Sequence, residues 1–408
     1  MNRRSFLGGS ATFTAWSMLP IRSALAGASD PRLLVIILRG ALDGLATVMP
    51  MGDPQFAIHR AAFLDDMALA GDPLPLDGFF ALSPHLRALH RLYGKGEAMI
   101  LHAVASPYRD RSHFDGQDVL ETGLPGVGSV ESGWLNRLLG SVRPSGAQAK
   151  AEGLFVGASV PLIMRGAQPT VSYAPDARNA IFDDTQARLL ALYQDTDPAL
   201  AVAWAEGLNL EAISFAGDDL IADQNTLEKP ALNKGPARAV EEMVRAASLL
   251  ADDAGPRIAA ISIDGWDTHA QQGPGTGLLA DRLKILDGFV DGLTRVLKPV
   301  WNETSIVIVT EFGRTVAVNG THGTDHGTGT SALLIGGAVA GGRVHADWPG
   351  LRNSELFEGR DLRPTTDLRS IFKGLIAPRF DVSGRALDDE IFPESAAVRA
   401  MEGLYRSA

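Results

Sequence analysis

Residues 33–38 read LLVIIL, six apolar residues in a row with no polar one among them. A strand with one face in water alternates apolar and polar side chains, so an unbroken run needs both faces covered. Such a strand belongs in a sheet packed between helices. Similar runs recur at 98–104, 258–263 (IAAISI), 305–310 (SIVIVT) and 332–335, and between them segments at 84–93, 184–206, 236–251 and 277–298 carry apolar residues at helical spacing. The alternation predicts an α/β chain, three layers (αβα) around a mainly parallel central sheet. No Ser/Pro linker or repeat divides the chain, so 27–408 reads as one domain. Within it, 141–235 is the poorest in strand signal and reads as an insertion or cap.

Composition narrows the chemistry. The 408 residues include 37 Lys+Arg, 48 Asp+Glu, nine His and no Cys, for a formal charge of −11. An acidic chain has no bulk attraction for nucleic acid. The lack of cysteine excludes disulfides, thiolate nucleophiles, zinc fingers and Fe–S clusters, so any metal is held by His, Asp, Glu and backbone oxygens. Residues 1–26 hold three arginines and no acid: Asn2-Arg3-Arg4-Ser5-Phe6-Leu7, an apolar run broken by Gly8, Gly9, Ser10 and Pro20, then Ala24-Leu25-Ala26. This reads as a twin-arginine export signal with an A-x-A cleavage site. Its removal takes three positive charges and leaves −14. The expected product is a periplasmic or secreted protein that engages the twin-arginine export machinery and has no stable membrane insertion after cleavage.

In an open parallel sheet, ligands bind beyond the carboxyl ends of the strands. There the sequence places Asp43 after the first run, Asp264-Gly265-Trp266-Asp267-Thr268-His269 after the 258–263 run, and Glu311-Phe312-Gly313-Arg314 after the 305–310 run. Carboxylates delivered to one edge repel one another, and a divalent cation removes that repulsion. A Gly/Thr-rich loop then carries His322, Asp325 and His326, which can converge on an ion because glycine frees the backbone. Ser112, before His113 and three residues ahead of Asp115, is an S-x-x-D helix start flanked by Arg109 and Arg111, where a hydroxyl would meet an anionic group. Each feature has a plainer counterpart: Asp43 in a simple turn, Asp264 as a turn cap, His322 and His326 in a surface hairpin, Ser112 as an N-cap beside solvated arginines. His102 lies in a strand pattern, and His59, His85, His90 and His345 have no clustered partner.

Through LRGALDGL, RSHFDGQD, DGWDTHAQQ, TEFGRT and GTDHGTG, the chain resembles the domain of unknown function 1501 family, grouped with the alkaline phosphatase and sulfatase superfamily. The resemblance implies an alkaline phosphatase-like fold, an acidic metal ligand at Asp43, a nucleophile at Ser112, and an acid with His269 drawn from Asp264 or Asp267. Glu311 stands where the superfamily has an Asp-His pair, and Asp325-His326 comes later. With no cysteine, the cysteine form of the motif, C-x-P/A-x-R, cannot occur, which disfavours cysteine-derived formylglycine sulfatase chemistry. The expected metal ligands are therefore Asp43, Asp264, Asp267, His269, Glu311, His322, Asp325 and His326, around a divalent ion (Zn, Mn, Mg or Ca). The expected catalytic group is Ser112, Arg109, Arg111, His113 and Arg314. The function implied is an exported, metal-dependent hydrolase of phosphate, sulfate or phosphonate esters acting on a small anionic substrate, with Ser112 or an activated water as nucleophile. The alternative is a non-catalytic extracytoplasmic binding or assembly protein on the same scaffold.

Overall fold

The computed structural model describes residues 30–142, 153–157, 159–173 and 236–406. The expected export signal and the helical pattern at 184–206 lie outside these residues. Among the described residues the main sheet has nine strands: β1 (Arg32–Leu38), β2 (Ala98–Ala105), β3 (Gly153–Val156), β4 (Thr170–Tyr173), β5 (Ile258–Ile263), β6 (Thr304–Val309), β7 (Thr330–Ile335), β8 (Arg343–His345) and β9 (Thr366–Asp367). In space they run β8-β2-β7-β6-β1-β5-β3-β4, and β9 pairs with β2. All pairs are parallel except those of β7, which runs antiparallel to β2 and β6.

β1 explains why its sequence lacks alternation. Leu34, Ile36 and Leu38 face one core and Leu33, Val35 and Ile37 the other, all at most 1% exposed. Burying each such side chain contributes about 1.5–3 kcal/mol. The first core is closed by α1 (Arg87–Gly94), α4 (Pro236–Ser248) and α5 (Leu278–Val296), through residues such as Leu89, Val244, Leu283 and Phe289. The second is closed by α2 (His113–Thr122), α3 (Trp134–Ser141) and α6 (Leu368–Ile376), through Leu120, Leu138, Ile371 and Phe372. The three-layer αβα architecture with a mainly parallel sheet is thus present.

Register positions the functional edge. Leu38 of β1 pairs with Ile263 of β5, and Ile37 with Val309 of β6, so the three strands end level with one another. Because β7 returns antiparallel beside β6, the whole 310–329 loop stays at that same edge. The described part of 141–235 differs from a pure cap: β3 and β4 extend the sheet beyond β5, in parallel register. No helix among the described residues is long and apolar enough to cross a membrane.

Candidate metal centre

Trp266 is fully buried and anchors the turn after β5, which leaves the Asp267 side chain 43% exposed. Gly40, at φ +114°, lets the loop after β1 run against that turn, since a Cβ there would lie 2.5 Å from the Asp267 nitrogen. The buried Arg314 guanidinium ties these loops together. Its Nε donates to the Ala41 carbonyl (2.8 Å), Nη1 to that of Thr324 (3.1 Å), and Nη2 to that of Gly40 (2.7 Å) and to Asp267 Oδ1 (2.5 Å).

Three imidazoles surround Asp267. His113, the first residue of α2, has Nδ1 2.8 Å from Glu311 Oε1 and Nε2 3.4 Å from Asp267 Oδ2. His326 has Nδ1 2.8 Å from the Arg111 carbonyl and Nε2 3.4 Å from Asp267 Oδ1. His269 has Nε2 3.1 Å from Asp267 Oδ1 and 2.8 Å from His326 Nε2, with Nδ1 3.3 Å from Asp325 Oδ1. Ligand atoms of His113, Asp267 and His326 all lie within 4.8 Å of one another, and His269 adjoins them on the side of Asp267 and His326.

The donor set fits a divalent metal on two counts. First, His113 Nε2 is buried without a hydrogen-bond partner among the described residues, although it faces Asp267. Second, acceptors at the outer nitrogens hold protons on Nδ1 of His326 and His269. Their Nε2 lone pairs then face each other at 2.8 Å, which requires a proton or a cation between them. The spacings from the imidazoles to Asp267, 3.1–3.4 Å, match the roughly 3.0–3.4 Å edges of a ligand polyhedron with bonds of about 2.1 Å. Glu311, Asp325 and the Arg111 carbonyl form the outer layer that orients the imidazoles.

Electrostatics prepare these groups unequally. Burial disfavours a charged Asp267, yet Arg314 and the neighbouring imidazoles hold its carboxyl below the usual range. Glu311 is also kept ionised against burial, by His113, the Gly40 amide and Gln117. The hydrogen bond to Glu311 outweighs burial and raises His113. Burial, with the charges of His113, Arg314 and His269, lowers His326 despite its bond to the Arg111 carbonyl. The Asn319 amide, more than His269, lowers Asp325.

Residues 95–391, which contain all four inner side chains, match the family described as protein of unknown function (DUF1501). The chain belongs to the DUF1501 family. No curated protein sequence matches it. Among solved structures, the DUF1501 chain is similar to Ps i-CgsB in complex with k-i-k-neocarrahexaose (TM-score 0.43, 11% identity, 92% of this chain and 75% of that one). It is also similar to PsFucS1 sulfatase from Pseudoalteromonas sp. (0.40, 12%, 93% and 74%) and to phosphonate monoester hydrolase of Agrobacterium radiobacter (0.38, 11%, 86% and 74%).

The expected residues separate into distinct groups. Asp267, His269 and His326 come together as inner donors, joined by His113, which the sequence reading placed with the catalytic group. Glu311 and Asp325 stand one layer out, because their oxygens hold His113 and His269. Asp43 is a correction: its carboxylate is fully buried, paired with Arg60 at 2.5 Å, bonded to Gln272 at 2.7 Å, and caps the short helix Gly44–Thr47 through the Leu45 and Ala46 amides. Asp264 and His322 are exposed, and no side-chain contact among the described residues draws them into the cluster.

The arginines also differ from expectation. Arg314 is buried and occupied by carbonyls and Asp267, so it cannot receive an outside anion. Arg111 is held by Asp361 (2.8 Å) and Glu358 (2.5 Å), and Arg109 bonds the carbonyls of Ser106 and Tyr108. Ser112 occupies the cap position of α2, but its hydroxyl makes no capping bond. Asp115 instead accepts from the Tyr108 hydroxyl at 3.2 Å. The Tyr108 hydroxyl also takes the Ser112 amide at 3.1 Å and bonds the Ser112 side chain, so the Ser112 hydroxyl sits beside Tyr108, between Arg111, whose carbonyl holds His326, and His113 in the chain. Arg60, Gln272 and Gln117 went unpredicted, because their partners are distant in sequence: Gln272 meets Asp43 across 229 residues.

Proposed function

We propose that the chain is an exported, metal-dependent hydrolase of phosphate or related (sulfate, phosphonate) esters, with the metal held by His113, Asp267, His326 and His269. The observation that carries this is the convergence of Nε2 atoms on Asp267, one buried without a hydrogen bond among the described residues and two facing each other at 2.8 Å. Three nitrogens and a carboxylate suit a borderline ion such as Zn or Mn better than Mg or Ca, which favour all-oxygen sites. Such an ion would supply Lewis-acid polarisation of an ester oxygen and a lowered pKa for an attacking hydroxyl. The chain's own part is to hold the donors in place. Glu311, Asp325 and the Arg111 carbonyl keep protons on the outer nitrogens, and Arg314 aims Asp267. The Ser112 hydroxyl, at the positive end of α2, is the candidate nucleophile.

Export is supported by the Arg3-Arg4 leader. Replacing both with Lys should leave the protein in the cytoplasm, read by cell fractionation. For the chemistry, the test is elemental analysis of exported protein together with a panel of phosphate, sulfate and phosphonate esters. One divalent ion per chain or more, and hydrolysis lost in His326→Ala and in Ser112→Ala, is expected. Metal-free protein, or turnover unchanged in His326→Ala, would overturn the reading. One observation favours the second reading, a non-catalytic binding or assembly protein: Arg109, Arg111 and Arg314 all have internal partners. That reading predicts metal-dependent thermal stability with no turnover on any ester.

A further inference from the structure

Behind His113 the hydrogen bonds continue in a line. Gln117 and Glu121 follow it on α2 at four-residue spacing, so the three share one face. Gln117 Nε2 donates to Glu311 Oε1 at 3.2 Å, and Gln117 Oε1 accepts from Arg39 Nη1. Arg39 Nη2 pairs with Glu121 Oε1 at 2.6 Å, and its Nε reaches Ser262 Oγ on β5 at 3.1 Å. Glu121, 2% exposed, uses its other oxygen to accept the Ile163 amide at 2.9 Å. Arg39 stands one residue past β1 and Glu311 two residues past β6, so the line crosses the ends of three strands.

We propose that Arg39, Gln117 and Glu121 are positioning residues that fix the tautomer and direction of His113 and thereby set the affinity of the Asp267 cluster for a divalent cation. The polarity of the line follows from donor inventory. A guanidinium has donors only, so the amide oxygen of Gln117 must face Arg39 and its NH2 must face Glu311. Without Arg39 the amide oxygen loses its donor, and nothing else in this line anchors the amide with its NH2 toward Glu311. Glu311 Oε1, already receiving the Gly40 amide at 2.8 Å, is an acceptor, so its 2.8 Å contact with His113 requires the proton on Nδ1. Nε2 is then the atom that faces Asp267. Glu121 balances the charge of Arg39 within a part-buried setting, where an unpaired cation would be costly. Each bond has one allowed direction, and the direction ends at a ligand atom.

The inference rests on the metal reading above, and its test separates the two. Zn²⁺ is titrated calorimetrically into the full chain and into Gln117→Met, Arg39→Met and Arg39→Lys. Outer-layer partners of metal ligands are worth about 10–100-fold in affinity. Gln117→Met and Arg39→Met should therefore weaken Zn²⁺ binding by about tenfold or more, with Arg39→Lys recovering most of the loss because it keeps charge and donors. An affinity for Gln117→Met within about twofold of the parent would overturn the proposal. The second measurement needs no metal: nitrogen-15 NMR of the His113 ring at alkaline pH. The parent should show the proton on Nδ1 and Gln117→Met a mixture. A parent ring protonated on Nε2 would overturn the proposal, as would an identical tautomer in Gln117→Met. If the parent binds no Zn²⁺, the metal reading falls and the NMR result alone decides the positioning role.

Discussion

Asp43 and Asp267 are two carboxylates beyond the ends of adjacent parallel strands, each 2.5 Å from a buried arginine. Asp43 is sealed. Arg60, Gln272 and two helix amides take its oxygens, and its side chain is 1% exposed. Asp267 is open at 43%, with Arg314 its one guanidinium partner among the described residues and three imidazoles across from it. Residue type, strand-end position and an arginine partner are shared, so none of them makes a ligand. What differs is whether any lone pair remains unmatched once the neighbours are in place.

The largest effect expected from this contrast is at the sealed site. Asp43→Ala leaves Arg60 buried without its counter-charge and should cost about 3–5 kcal/mol in chemical denaturation. Adding Arg60→Met should recover most of it. A loss under about 1 kcal/mol would mean the pair is not sealed. In the same region His102 is fully buried, and burial lowers it to about 4 from 6.5. Its folded value lies below its unfolded one, so its contribution is complete above about pH 6.5 and is lost as pH falls toward 4. The total is roughly 3 kcal/mol, visible as acid destabilisation that His102→Gln reduces.

At the open site the effects move from stability to binding. Asp267→Ala should weaken divalent-metal affinity by about 100-fold while shifting the metal-free melting point little, because Arg314 keeps its carbonyl partners; a large melting shift with unchanged affinity would reverse the comparison. His113 carries the opposite pH sign from His102. Its value is raised by Glu311, so the stability it contributes is present below about pH 6.5 and is lost as pH rises through the raised value. A metal at Nε2 must displace a proton there, so affinity should increase with pH across the same range, as titration at several pH values would report. The smallest effect is expected at Asp325→Asn, which keeps an acceptor toward His269 and should weaken binding about tenfold or less.

Much of the fold was legible because its signals are local. The unbroken LLVIIL run requires two covered faces wherever it sits, and the alternation with helical segments follows from chain periodicity. The strand-end rule placed Asp267, His269, Glu311 and His326 at one edge of the sheet, and the register carries those loops there. The site's inner and outer layers were not legible. Glu311 and His113 stand 198 residues apart, and nothing near Glu311 in sequence says that its oxygens go to an imidazole. Ser112 and Asp115 have capping-box spacing, yet the Tyr108 hydroxyl takes Asp115, a competition visible only once the loop is folded.

By itself the sequence determined that cysteine thiol chemistry is absent, that a two-faced sheet forms, and which loops meet at its carboxyl edge. Tertiary structure alone decided which of the acids there are matched and which are left open. The reason is that ligand capacity is a remainder: a carboxylate or imidazole can bind an ion only with atoms its folded neighbours leave unbonded. Those neighbours, Arg60 and Gln272 at Asp43 and Glu311 at His113, arrive from distant parts of the chain.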